Sequence, residues 1–193
     1  MTPPPLPADG RILFFRRDRP EFGFLSHFHP APIMLDGEAW PTVEHYYQAQ
    51  KSLDPAYRRA IHACATPGEA KRHAAWSEPA RKRDQGSWFL EKGRAPRADW
   101  GEVKLDVMRW ADLAKYQQNP ELAALLLACG DAEIIEDATH DPFWGIGRDG
   151  LGQNWAGRVL MEVRTRLRAM AMPGRRNDCP GAAAQAEPDG GAK

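Results

Sequence analysis

The sequence has no excess charge of either sign. Its 26 lysines and arginines balance 26 aspartates and glutamates, so nothing global argues for a nucleic-acid-binding protein. No run of 18 apolar residues occurs, which argues against a membrane-spanning helix. Met1 to Gly10 contains Pro3, Pro4, Pro5 and Pro7 but no basic region followed by an apolar core, so it does not read as a secretory signal. Cysteine is scarce: Cys64, Cys129 and Cys179 are far apart and odd in number, matching neither a disulfide framework nor a zinc spacing. A reduced, cytoplasmic setting is the expectation. There is no internal repeat. Tryptophan, by contrast, is abundant, with seven in 193 residues. Trp40, Trp88, Trp100 and Trp144 stand in polar or Gly/Pro-containing surroundings, where they serve either a core or a planar ligand.

The length predicts one domain with a sizeable core. Residues 1–10 read as a flexible leader, 11–170 as the domain, and 171–193, rich in Gly, Ala and Pro without apolar period, as a disordered tail. Strands are expected at Arg11–Phe15 and Ile33–Leu35, separated by the charged turn 16–20. The Asp36-Gly37 dipeptide signals a hairpin returning through Trp40. Helices are expected from Val43 to Ser52, Pro55 to Cys64 and Pro67 to Trp76, with Thr42 and Thr66 as caps. Boundaries within 78–100 are ambiguous. A longer helix then carries the stripe Val103, Val107, Trp110 and Ala114. A helix from Leu122 to Cys129 ends at Gly130, Ile134 and Ile135 suggest a short strand, and Asn154 is placed to cap a last helix. That helix buries Ala156, Leu160, Val163 and Leu167. The expected fold class is α+β: a predominantly helical single domain with a small β-sheet drawn largely from the N-terminal third.

Chemistry concentrates in Trp40–Lys51. Glu44, Tyr47, Gln48 and Lys51 fall at offsets of zero, three, four and seven, and so share one helical face. Such polar groups on one face suggest the catalytic wall of a small enzyme. The plainer alternative for Glu44 is a first-turn carboxylate stabilising its helix dipole. Helical rise alone separates Lys51 from Glu44 by about 10 Å, so a ligand would span them or their flexible ends would converge. Phosphate binding, attack on a sugar aldehyde and simple solvation are all open to Lys51. A second group, Asp141-Pro142-Phe143-Trp144-Gly145, presents a carboxylate and an aromatic plane on a rigid loop, although turn capping and core packing are the plainer roles. Opposed carboxylates and an aromatic platform suit N-glycoside cleavage, which builds positive charge on the sugar.

Three other patterns carry less. The GxGxxG of residues 145–152 lacks an upstream buried strand and a βαβ context, so it is not read as a dinucleotide site; its amides, or the next helix N-terminus, could still hold a phosphate. His27, His29 and His45 form no metal-ligand set. From Trp155 to Arg176, six arginines face the single Glu162, a local net of +5 that fits a phosphate-rich partner or a solvated helix face equally well.

Across residues 12–169 the chain resembles the YbiA-like, or NADAR, family. The resemblance rests on Phe24-Leu25-Ser26-His27-Phe28, the Trp40–Lys51 motif, Asp99-Trp100 with Val107-Met108, Glu136, Asp141–Gly145, and Gly152-Gln153-Asn154 leading into Gly157–Arg164. It implies a YbiA-like fold and an N-glycosidase. The implied substrate is a phosphorylated ribosylamino-pyrimidine intermediate of riboflavin biosynthesis. ADP-ribosylated guanine, free or in DNA, is the alternative, and a non-catalytic ADP-ribose or nucleotide binder is the third reading. In such a binder Glu44 and Asp141 would fail to meet at one sugar-sized space. The resemblance carries catalytic roles to Glu44 and Asp141, with Lys51 a further match, and substrate-binding roles to Phe24, Ser26, Trp40, Tyr47, Gln48, Trp100, Trp144, Gly145, Gly147 and Asn154. It calls for no metal or other cofactor, no membrane and no obligate protein partner. His27 departs from a common asparagine, which bears on polar substrate contacts. Trp155 stands where a smaller or aliphatic residue is common, which bears on packing.

Overall fold

A computed structural model describes residues 3–15, 21–75, 89, 92 and 95–171. The charged turn at 16–20, the end of the third expected helix at Trp76, Trp88 with most of 78–94, and the tail from 172 lie outside the described residues. The elements are β1 (Arg11–Phe14), a 3-10 turn (Gly23–Leu25), β2 (Ile33–Leu35), β3 (Glu38–Trp40), α1 (Val43–Ala49), α2 (Pro55–His62), α3 (Pro67–His73), α4 (Trp100–Gln118), α5 (Pro120–Ala128), β4 (Glu133–Glu136) and α6 (Trp155–Ala171). None of the described helices is long and apolar enough to cross a membrane.

The helical α+β class is as expected, but the strands form two separate pairs. Asp36 and Gly37 both adopt positive φ, 53° and 78°, giving the backbone twist that closes β2 against β3 with Ile33 opposite Trp40. β1 instead pairs in parallel with the distant β4, Ile12 opposite Ile134 and Phe14 opposite Glu136. Alternation explains β1: Ile12 and Phe14 are buried while Arg11 and Leu13 face outward.

α1 is the hub, buried along its whole length and packed on α2, α3 and α4. Thr42 Oγ1 accepts from the His45 amide at 3.3 Å, the predicted cap. The helix ends at Ala49, earlier than the expected Ser52. Lys51 instead sits in a closing turn whose amide donates to Gln48 O at 3.2 Å. At α3, Thr66 Oγ1 caps the Glu69 amide at 3.1 Å and Glu69 Oε2 accepts from the Ala65 amide at 2.8 Å, a reciprocal start.

Two expectations change in the second half. Trp110 is 61% exposed, so it does not belong to the buried stripe of α4. The inward face carries Met108, Ala111, Asp112, Ala114 and Lys115. Two buried ionisable groups on that face hid it from an apolar pattern. Asn154 precedes α6, and its backbone carbonyl accepts from the Arg158 amide at 3.0 Å, but its side chain does not cap the helix. Its Oδ1 accepts from the Glu136 amide and its Nδ2 donates to Ile134 O, both at 2.9 Å, tying the last helix to β4. The expected stripe of α6 is buried as read.

Candidate active site

A cavity of about 560 Å³ opens where α1, α3, the Ser26–Phe28 segment, the end of β4 and the loop after it converge. α1 and its closing turn contribute Glu44, Tyr47, Gln48 and Lys51 to the wall, so the four polar groups predicted to share a face do so. Glu44 is 5% exposed, and its Oε1 accepts from Gln48 Nε2 at 2.8 Å. Its backbone amide donates to His27 O at 3.2 Å, which docks the Ser26–Phe28 segment on the first turn. The other Gln48 amide atom, Oε1, is buried without a partner.

Across the cavity stand Asp141 and Trp144. Asp141 Oδ1 accepts from the amides of Phe143 at 3.0 Å and Trp144 at 2.9 Å, so the turn-capping role is real. The same residue lines the cavity, and capping fixes its place there. Tyr47 lies between Trp144 and Trp100, with ring centroids 5.5 and 5.0 Å away. Burial, with Glu44 nearby, pushes the Tyr47 phenol far above its ordinary range, so the ring is a neutral wall.

Lys51 Nζ lies 3.5 Å from Ala74 O and 6.0 Å from the Tyr47 ring centre. Burial lowers its ammonium from 10.5 to about 8, opposed by Glu44 and reinforced by Lys71. At pH 7 roughly one molecule in ten then carries the free amine.

Several expected substrate contacts serve the framework instead. Trp40 is fully buried, edge-on to Tyr46 and His62, with its indole donating to Leu35 O at 3.3 Å. Phe24 is a core side chain whose carbonyl accepts from Lys115 Nζ at 2.6 Å. Trp100 backs Tyr47 and does not line the cavity. Gly145 does not line it either: a Cβ there would come within 2.6 Å of Ala138 Cβ and 2.8 Å of Glu136 O, so glycine permits loop and strand to touch. Gly147 takes φ of 68° beside Pro142, and Asn154 holds β4. Ser26 does line the cavity.

Five of the eight amides of the glycine loop already have partners within the protein, which leaves few for the suggested phosphate cradle. The amides of Gly145, Ile146, Gly147 and Gly152 donate to carbonyls of Asp141, Glu136, Ala138 and Ile146, and Leu151 donates to Asp149. The amides of Trp155 and Ala156, opening α6, donate to Phe143 and Trp144. The basic stretch is also partly turned inward. Arg164 is buried and donates to Ala132 O at 2.9 Å, and Arg168 pairs with Asp131 at 2.6 Å. Trp155, the second departure, packs between Phe143 and the Arg158 guanidinium, in keeping with a packing role.

Other cavity residues have no catalytic role assigned from the sequence. His27 Nε2 lies 3.0 Å from Asp112 Oδ2. Burial disfavours the imidazolium, but Asp112 outweighs it and the net shift is upward. Beneath, Lys115 also donates to Ser26 O at 3.0 Å, and burial lowers it to about 8 against the pull of Asp112. Lys71 brings a second ammonium group. Glu136 brings a third carboxyl, whose Oε2 is buried and unpartnered. Burial raises it from 4.5 to about 7, opposed by His27 and Lys71 and aided by Asp141 and Glu44. A charged residue closing the apolar Ile134-Ile135 pair was the available signal. Nothing in the sequence marks Lys71. Among the described residues no group of three His, Cys, Asp or Glu is arranged to hold a metal ion.

Three carboxyls, two lysines and an aromatic wall surround a space the size of a small polar molecule. Comparison with known proteins gives the family. Residues 13–168 match the NADAR domain. N-glycosidase YbiA of Escherichia coli strain K12 is 38% identical over 156 residues, covering 81% of this chain and 88% of that protein. Riboflavin biosynthesis protein VVA0006 of Vibrio vulnificus is 38% identical over 160 residues, which cover 83% of this chain but 39% of the longer relative. The NMR structure of the E. coli protein YbiA superimposes with a TM-score of 0.69 at 37% identity, covering 86% of this chain and 90% of that one. The chain belongs to the NADAR family and has the YbiA-like fold.

Proposed function

We propose that the protein is an N-glycosidase that hydrolyses the ribose N-glycosidic bond of phosphorylated ribosylamino-pyrimidine intermediates of riboflavin biosynthesis. The observation that carries this reading is the convergence of Glu44 and Asp141 on one cavity, the arrangement a mere nucleotide binder would not need. The names of the relatives in E. coli and V. vulnificus support the same chemistry.

As the C1′–N bond lengthens, positive charge develops over C1′ and the ring oxygen. Glu44, pinned by Gln48, and Asp141, pinned by its own turn, are fixed before substrate arrives, so their stabilisation of that charge requires little reorganisation. One carboxylate faces the charge while the other positions the attacking water. The edge-on Tyr47 and Trp144 rings give the pyrimidine an apolar wall. Lys51 and Lys71 supply positive charge for the phosphate. In a variant route the free Lys51 amine captures the opened C1′ aldehyde. Borohydride added during turnover separates the two: a reduced sugar adduct on Lys51 makes it covalent, and its absence leaves it a binding cation.

The test incubates purified protein with a ribosylamino-pyrimidine phosphate and, separately, with ADP-ribosylated guanine, and resolves the products by mass. Release of the aminopyrimidine with ribose 5-phosphate is expected. Cleavage of the ADP-ribosylated guanine alone would replace the substrate, and cleavage of neither would remove the enzymatic reading.

A further inference from the structure

The proposed reaction leaves one requirement unmet: the departing nitrogen needs a proton. An amine cannot leave a ribosyl carbon as its anion at neutral pH, so some group must protonate it as the bond breaks. Glu44 Oε1 and Asp141 Oδ1 both accept N–H hydrogen bonds, contacts that occupy oxygen lone pairs. Glu136 differs. Its Oε2 is buried and has no hydrogen-bond partner, although the residue lines the cavity. Orphaned buried oxygens are costly and uncommon, so this one calls for a partner that arrives with substrate.

The root of Glu136 is held on every side. Its amide donates to Asn154 Oδ1 at 2.9 Å, its carbonyl accepts from Ile146 at 3.1 Å, and β1 pairs Phe14 opposite it. The missing side chain of Gly145 lets the loop bearing Asp141 and Trp144 lie directly on this carbonyl. The strand end and that loop are therefore one rigid unit, which holds the free carboxyl at a set place relative to Asp141.

We propose that Glu136 is a further catalytic residue of this cavity, the acid that protonates the departing nitrogen. The inference rests on the N-glycosidase reading. The C1′–N bond breaks with its electron pair passing to nitrogen, and the Glu136 O–H proton bonds to that nitrogen, so a neutral aminopyrimidine leaves. Water adds to C1′ and gives its proton to Glu44 or Asp141. That carboxyl then releases the proton and Glu136 regains one from solvent, so the enzyme is unchanged and one water is consumed.

The protonation state supports the role. Burial keeps the proton on Glu136 up to about pH 7. The charged groups that act on it come from each surrounding element: His27 before α1, Glu44 on α1, Lys71 on α3 and Asp141 on the loop.

Glu136→Gln keeps the shape and removes the acid. It is expected to lower kcat about 100-fold, within the ordinary range for a general acid, and to leave KM within a few-fold. The wild-type rate should fall as pH rises through about 7; in the variant that limb is absent and the first alkaline limb is that of Lys51, near 8. An active wild type with an equally active Gln variant, or with an unchanged pH limb in the variant, overturns the role of Glu136 while the N-glycosidase reading stands. A wild type that releases no base overturns both. If Glu136→Gln lowers the melting temperature, Glu136→Asp is read instead: reduced kcat with the limb near 7 retained is expected, and full activity without that limb overturns the assignment.

Discussion

Replacing Gly157 with alanine tests whether the α6–β4 contact sets the geometry of the cavity. Gly157 lies in the first turn of α6 and is buried. A Cβ built there would overlap Ile134 O and fall 2.6 and 2.7 Å from the amide nitrogen and oxygen of Asn154. Strand and helix must therefore part, or Asn154 must release both of its 2.9 Å bonds to β4. Losing two hydrogen bonds costs about 2 kcal/mol, and leaving their buried partners unsatisfied adds about 2 more. The better helix propensity of alanine returns about 1 kcal/mol, so a net loss of about 3 kcal/mol is expected. For a domain of this size that corresponds to a fall in Tm of about 6–12 °C. Differential scanning fluorimetry with urea unfolding measures it. Gly101→Ala is the internal control, because a Cβ at that position in α4 meets nothing within 4 Å; it should leave Tm unchanged or raise it slightly. Equal behaviour of the two variants would refute the claim that contact between α6 and β4 is tight. Because Asn154 also anchors the Glu136 amide, Gly157→Ala should lose glycosidase activity at temperatures where it is still folded.

Other substitutions probe separate links. Glu44→Gln should lower kcat at least about 100-fold with a folded protein, read by product mass under saturating substrate; full activity would remove Glu44 from the chemistry. Lys51→Met should stabilise the protein at pH 7 while impairing turnover. A lysine whose pKa falls from 10.5 to about 8 carries a folding penalty that is complete below pH 8 and vanishes as pH rises through 10.5. That penalty is at most about 3 kcal/mol by the size of the shift, and about 1–2 after allowance for partial exposure. Urea unfolding at pH 7 and pH 10.5 should show the variant's advantage at the first and not at the second; the reverse order would contradict the burial argument. Finally, Trp110→Lys should change Tm by no more than a degree or two, whereas Ala111→Lys should unfold the domain at 37 °C, because Trp110 is 61% exposed and Ala111 is 0% exposed and away from the cavity. Thermal melts of the two variants decide the orientation of α4.

The sequence was readable wherever a residue acts through its neighbours along the chain. Thr42, Thr66 and Asp36-Gly37 set local backbone geometry within a few residues, and each does what its position suggests. The same locality put Glu44, Tyr47, Gln48 and Lys51 on one wall, since helical spacing holds through the closing turn. Misreadings began where long-range packing decides the role. Trp40 and Phe24 share motifs with cavity residues, yet their side chains point into the core. The resemblance implies ligand contacts for Gly145 and Asn154, but they are the joints that seat the acidic loop against β4. Glu136 shows the limit most clearly. Its carboxyl becomes exceptional only because β1 pairs in parallel with β4 across more than 120 residues, and because His27, Lys71, Asp141 and Glu44 arrive from four other places. No local pattern can encode an electrostatic environment assembled from that many segments. The motif on α1 is therefore the legible half of the site, and the strand end facing it is the half that only folding assembles.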